Sequence, residues 1–361
     1  MSTQHRNGAF PSSRFDAIDV ARGVAVAAMV VYHFGWDLSF LRLIAIDLIR
    51  DPAWRWFARG IAGSFLALAG IGLVLAHARG FRPRSFLRRL AKIAGAAALV
   101  SVATYFVFPE SYIFFGILHC IAVSSVLALP FLRAPVWTAA VAAAICFTAP
   151  LIARSPFWDH DWLDWLGLGA QEPFTNDYVP IFPWFGLVLL GIAAARGLLP
   201  PGGAAGPRIP PETTLPSGQG AIGLDQDFAS DTNAPGGRAR KATGRWQAKS
   251  RLALGLTWAG RRSLPIYLVH QVVLFGALYG LAQIIGPNPT AEARPFIEQC
   301  KASCGLRNGN QSTCEIFCSC IVDRLRGDGS AAGVLNGTAG PDGQTRISRS
   351  AQQCLISVPP A

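Results

Sequence analysis

The chain has 361 residues, of which 51% are hydrophobic and only 15% charged, and its mean hydropathy is +0.34. A soluble domain carries about 25% charged residues, so a soluble enzyme is excluded and a membrane protein is expected. The formal net charge of +11 does not call for a nucleic-acid partner, because the basic residues gather in loops between apolar runs, as in chains that insert with positive loops inside.

The polar start from Met1 to Phe15 gives way near Ala17 to an apolar run too long for the core of a cleavable signal. The first span is therefore expected to be retained. Apolar runs long enough to cross the bilayer predict about seven transmembrane helices, near 17–38, 57–76, 90–108, 112–132, 135–153, 179–198 and 263–285. The expected fold class is all-α: a polytopic membrane helix bundle with a small cysteine-rich C-terminal tail. Its parts are a cytoplasmic N-terminus (1–16), six spans (17–198), a basic Pro/Gly-rich linker (199–250), a segment carrying the last span (251–285) and the tail (286–361). The linker lacks an apolar period and is expected to be disordered. No internal repeat supports an inverted-repeat transporter.

Loop charge sets the expected orientation. The second loop carries Arg79, Arg82, Arg84, Arg88, Arg89 and Lys92 and belongs in the cytoplasm. Counting spans then puts the N-terminus and the basic linker inside, and the acidic loop around Asp159, Asp161, Asp164, Glu172 and Asp177 outside. The first loop, with Arg42, Arg50, Arg55 and Arg59, falls outside and is the exception. The tail also falls outside, in an oxidising compartment where disulfides persist. It holds Cys300, Cys304, Cys314, Cys318, Cys320 and Cys354. These read as up to three disulfides of undetermined pairing; a zinc site is the rival reading, with spacings wider than the usual C-x2-C knuckle. Cys120 and Cys146 fall within spans and read as packing residues.

Ionisable groups within spans are costly and mark candidate sites. His33 and Asp37 are spaced i, i+4 on one helix face, where a carboxylate can orient an imidazole base. At about 1.5 Å per residue, His33 lies about 8 Å and His119 about 10 Å inside the outer boundary, a common level; His270, beside Gln271, lies about 10 Å inside the inner boundary, in a different layer. Each histidine has a structural alternative, a hydrogen bond to a neighbouring helix. Asp16, Asp19 and Arg22 read as a functional cluster or as an anchor for the helix start. Trp158, Trp162 and Trp165 read as an interfacial belt or a sugar-stacking surface. Asp159-His160-Asp161 is weak as a metal motif, and no metal is expected.

Five stretches in order carry a resemblance: Arg14-Phe-Asp16-Ala-Ile-Asp19-Val-Ala-Arg22-Gly23 followed by His33-Phe34-Gly35-Trp36-Asp37; Gly63 to Gly70; Phe115-Gly116-Ile117-Leu118-His119; Pro183-Trp184-Phe185-Gly186; and Ser263 to Gln271. Together they resemble a bacterial integral-membrane family related to the catalytic domain of heparan-α-glucosaminide N-acetyltransferase. The Arg22-to-His33 spacing is also similar to the acyltransferase 3 group of sugar O-acyltransferases. The resemblance implies a bacterial inner-membrane enzyme that moves an acetyl group from cytoplasmic acetyl-CoA to a sugar or glycan on the periplasmic side. On this reading His33, Asp37 and His119 are the catalytic candidates, and Arg22, Arg82, Arg84 and His270 bind the acyl-CoA. The chain departs from the animal enzyme, which has asparagine at the position matching His33 and a catalytic histidine in the stretch that here, from Asp51 to Gly60, contains none. The alternatives are a transporter or flippase using the intramembrane His and Asp, and a non-catalytic envelope scaffold or sensor with a ligand-binding tail.

Overall fold

The computed structural model describes residues 15–78, 80–198, 246–305, 310–335 and 339–357. Residues 1–14 of the N-terminus expected over 1–16, Arg79 and most of the expected linker (199–245) lie outside the described residues. The described chain is helical, with no strand among the described residues. Its helices are α1 (Asp16–Phe40), α2 (Pro52–His77), α3 (Pro83–Val107), α4 (Ile117–Leu127), α5 (Val136–Ile152), α6 (Ile181–Leu198), α7 (Arg251–Arg261), α8 (Ser263–Ile285), α9 (Pro289–Gly305), α10 (Gln311–Gly327), α11 (Ala331–Leu335) and α12 (Gly340–Ser357). Five of them, α1, α2, α3, α6 and α8, are long and apolar enough to cross a membrane, and the apolar α4 and α5 are shorter. The 11 residues of α4 reach only about 16 Å against a hydrocarbon core of about 30 Å. The span expected near 112–132 is therefore an extended entry, a short helix and a 3-10 turn over Pro130–Leu132.

By contacts the chain divides into two compact units, Met1–Val26 with Gly60–Ile266, and Ala27–Arg59 with Tyr267–Ala361. In the first unit glycines let helices approach at backbone distance. A Cβ on Gly70 of α2 would strike the Val188 carbonyl of α6, and one on Gly191 would strike the Ala67 carbonyl. Neither position tolerates alanine without moving a helix, as expected where lipid supplies no hydrophobic drive and close packing must hold helices together. Gly23 and Gly260 repeat the device between α1 and α7, against Leu256 and Asp19. Ion pairs reinforce that contact: Arg261 Nε donates to Asp19 Oδ2 at 2.9 Å and Nη2 to Asp16 Oδ1 at 3.0 Å. The segment carrying the last span is thus two helices, α7 fastened to the start of α1, and α8.

α4 begins without a side-chain oxygen of its own at the N-cap, since Gly116 stands there. Asp177, from the loop before α6, supplies one, accepting from Ile117 N at 3.0 Å. Burial pushes the Asp177 carboxyl up to about 6, against the lowering effect of that donor.

The second unit contains the tail, which is a compact helical module. Ile321, Leu325, Val334 and Cys354 form its core, with Phe296, Phe317 and Ile347 against them. Three disulfides staple it: Cys300–Cys318, Cys304–Cys314 and Cys320–Cys354. This chooses one of the pairings left open by the sequence. The module is tied to the α1–α2 loop: Asn288 N donates to Arg42 O at 2.7 Å, Arg294 pairs with Asp47 at 3.6 Å, and Arg50 pairs with Glu298.

Two predictions follow from this architecture. Closing the 34-residue separation of Cys320–Cys354 stabilises by about 4 kcal/mol, and the 10-residue Cys304–Cys314 loop by about 3 kcal/mol. Replacing Cys320 and Cys354 by Ser should therefore make α9–α12 more sensitive to limited proteolysis than replacing Cys304 and Cys314; the reverse order would contradict the assigned pairing. For Asp177, the raised carboxyl means that its contribution to stability is full below about pH 4 and is lost as pH rises toward 6. Asp177→Asn keeps the acceptor for Ile117 N and should raise the melting temperature at pH 7 but not at pH 4. Equal shifts at both values would show that the carboxyl is not the cause.

Candidate active site

The second unit brings α1 and α8 side by side and parallel, with contacts rising together along both. The His33 and His270 rings meet edge to face at 5.0 Å between centroids. Asp37 Oδ1 accepts from Gln271 Nε2 at 2.7 Å, and the Phe40 and Phe275 rings lie 6.1 Å apart. This corrects the expected separation of His33 and His270 into different layers. That expectation measured each depth from the nearest end of an apolar run, and the parallel register of α1 and α8 does not follow those ends.

Asp37 is fully buried. Its carboxylate bonds Gln271 rather than His33, although His33 and Asp37 share a helix face as the spacing predicts. Asp37 Oδ2 and Gln271 Oε1 are buried and have no hydrogen-bond partner among the described residues. The pair therefore has acceptor capacity left over in a place where unsatisfied polar atoms are costly. His270 is oriented by its own helix: Nδ1 lies 2.8 Å from the Tyr267 carbonyl. A carbonyl only accepts, so Nδ1 carries a hydrogen.

Aromatic rings flank His33. Tyr32 meets its edge at 5.2 Å and stacks on Trp54 at 5.6 Å, and Phe57 lies 5.4 Å from Trp54. Trp54 reaches α1 because Gly35 has no side chain; a Cβ there would lie 2.6 Å from the indole. The start of α2 fixes Trp54 in turn, since Asp51 Oδ1 accepts from Trp54 N at 2.8 Å and Pro52 opens the helix, a favoured first residue. Tyr32, Trp54 and Gln271 were not singled out as site residues from the sequence. The signals were present in Gly35, in the Asp51-Pro52 helix start, and in a polar residue next to an intramembrane histidine.

His119 lies in the first unit and is held by a local network. Gly116 N donates to its Nδ1 at 3.2 Å, and Nε2 lies 3.2 Å from Ser101 Oγ, whose proton goes to Ile113 O at 2.6 Å. Nδ1 is therefore the acceptor and Nε2–H the donor, so both ring nitrogens are committed to holding the entry of α4 against α3.

The candidate donor-binding residues divide between the units. Arg22, Arg82 and Arg84 belong to the first, and His270 joins His33 in the second. Arg22 Nη1 pairs with Asp19 Oδ1 at 3.5 Å. Its guanidinium occupies the space left by Gly72, where a Cβ would lie 2.5 Å from Arg22 Nη2 and 3.7 Å from Arg89 Nη2. Two guanidiniums thus converge on one glycine of α2, a donor set suited to phosphate oxygens. Arg82 is the N-cap of α3, and Arg82 and Arg84 are both exposed.

The sequence matches the family described as heparan-alpha-glucosaminide N-acetyltransferase, catalytic, over residues 14–219, more than half of the chain. The match includes Arg22, His33, Asp37, Arg82, Arg84 and His119, and ends before α7 and α8. The likeness noted from Ser263 to Gln271 therefore lies beyond the matched residues. No curated protein and no solved structure matches the chain. The family carries membrane acetyltransferase activity, with acetyl-CoA as its donor in general. A helical membrane chain matched over its first spans, His33 and the arginines of α1 and α3 included, belongs to the heparan-α-glucosaminide N-acetyltransferase catalytic-domain family.

Proposed function

We propose that the chain transfers an acetyl group from acetyl-CoA to an amine or hydroxyl of a sugar or glycan, with His33 as the base. The observation that carries the reading is the cluster of His33, His270, Asp37 and Gln271 where α1 and α8 run together, in a chain whose family acetylates. His33 takes the proton from the acceptor N–H or O–H as that atom attacks the thioester carbonyl. The C–S bond breaks, and the proton passes to the departing coenzyme A thiolate, so acid and base roles return to their starting state. His270, whose ring meets that of His33, keeps the role at the acyl-CoA that its sequence suggests. Arg22 and Arg89, with Arg82 and Arg84, suit the phosphates of coenzyme A. The ring faces of Tyr32 and Trp54 suit the apolar face of a pyranose.

The same reading places the protein in a bacterial inner membrane, with the N-terminus and second loop cytoplasmic and the tail periplasmic. The loop charges support this orientation, and three disulfides suit an oxidising compartment. A non-catalytic envelope scaffold is the second reading. It is favoured by the stapled helical tail, which lies wholly beyond the matched residues.

Transfer of labelled acetyl from acetyl-CoA to envelope glycans in inside-out vesicles separates the two. Loss of a general base lowers the rate by about a hundred-fold or more, and His33→Ala should do so while the protein stays folded and inserted. Full activity in His33→Ala would remove His33 as the base, and no transfer by the native chain with any short acyl-CoA would favour the scaffold. Gly72→Ala pushes the Arg22 guanidinium aside and should raise KM for acetyl-CoA several-fold with kcat little changed. An unchanged KM would take Arg22 out of donor binding.

A further inference from the structure

α7 has two faces of different chemistry. One is fixed to the start of α1 through Leu256, Gly260 and Arg261. The opposite face carries Arg251 and Trp258 at i and i+7, one stripe of a 3.6-residue helix, and Arg262 follows as the C-cap. Leu252, Leu254 and Trp258 are 74%, 53% and 55% exposed, and the Arg262 guanidinium lies over the Trp258 ring at 4.8 Å.

The position of this face limits what it meets. With 11 residues, α7 is about 16 Å long and cannot cross a bilayer. Arg262 alone separates it from α8, a candidate span, so α7 ends at the membrane boundary. Residues 246–262 contain Lys249, Arg251, Arg261 and Arg262 and no acidic residue. Arg261 is used by Asp16 and Asp19. Lys249, Arg251 and Arg262 have no carboxylate partner among the described residues.

We propose that this stripe is a docking surface for anionic phospholipid, with Leu252, Leu254 and Trp258 seated at the headgroup–acyl boundary and Arg251 and Arg262 on lipid phosphates. A helix with exposed leucine and tryptophan beside uncompensated arginine, adjoining a span, has the chemistry of an interfacial lipid-binding helix. Because its other face is locked to α1, lipid held here bears on the helix pair that starts the first span. The proposal is independent of acetyl transfer.

The test is native mass spectrometry of the full chain in mixed micelles of phosphatidylglycerol and phosphatidylcholine. The native chain should retain phosphatidylglycerol in preference. At about 1 kcal/mol for each basic residue at an anionic surface, Arg251→Gln with Arg262→Gln should lower that preference about thirty-fold. Arg251→Lys with Arg262→Lys, which keeps the charge and guards against a folding artefact, should retain it. An unchanged preference in the double glutamine variant, or no preference in the native chain, would overturn the proposal.

Discussion

A fully buried carboxylate in an apolar helix pair has to be answered by a donor, and in this chain Gln271 answers Asp37. Leaving such a group unanswered costs several kcal/mol in a medium without water. The bond therefore fixes which turn of α8 lies beside the last turns of α1. Once that register is set, His33 and His270 have to meet, since each lies within one turn of a bonded residue. The orientation of His270 then follows from its own helix, through the Tyr267 carbonyl. Chemistry and packing are in this way the same constraint: the interaction that holds the helices in register also assembles the two imidazoles.

The first unit solves a different problem by different means. Its helices meet where glycine removes the Cβ, at Gly70 and Gly191 between α2 and α6 and at Gly23 and Gly260 between α1 and α7. Backbones that close leave no room for mobile side chains, and the charged groups are gathered at the helix start, where Arg261 binds both Asp16 and Asp19. Asp16, Asp19 and Arg22 thus include an anchor for the start of α1, as one of the two readings of their sequence held. Arg22 also extends beyond that anchor into the space above Gly72. The two histidines that the sequence placed at one level have unlike surroundings. His119 has both nitrogens engaged by Gly116 and Ser101, whereas His33 meets rings at its edge and face.

What was legible in the sequence follows from the length scale of each signal. Apolar runs report helices directly, so α1, α2, α3, α6 and α8 fall where the runs do. The run near 112–132 misled, because apolar residues outside a helix look like those within one, and α4 occupies only its middle. The i, i+4 relation of His33 and Asp37 was legible because it is local. The meeting of His33 with His270 was not, because register between distant helices depends on one hydrogen bond that composition does not record. Cysteine count and spacing announced three bridges in the tail but not their pairing, which needed the packing of α10 between α9 and α12.

Topology adds a consistency condition to the basic first loop, the exception among the loop charges. Parallel α1 and α8 start on the same side of the membrane if both cross it, so the helices between them must make an odd number of crossings. The long helices α2, α3 and α6 satisfy this, and it still holds if α4 and α5 both cross, because they enter the count as a pair. The α1–α2 loop and the tail then share one side, as their contacts at Arg42, Asp47 and Arg50 require. Arg50, one of the loop's anomalous cations, is paired there with Glu298 of the tail. A charge matched by a carboxylate of the same folded module is a weaker topological signal than Arg82, Arg84 and Arg88 of the second loop, which have no carboxylate partner among the described residues. The exception therefore has a structural cause: part of the first loop's charge belongs to its contact with the tail.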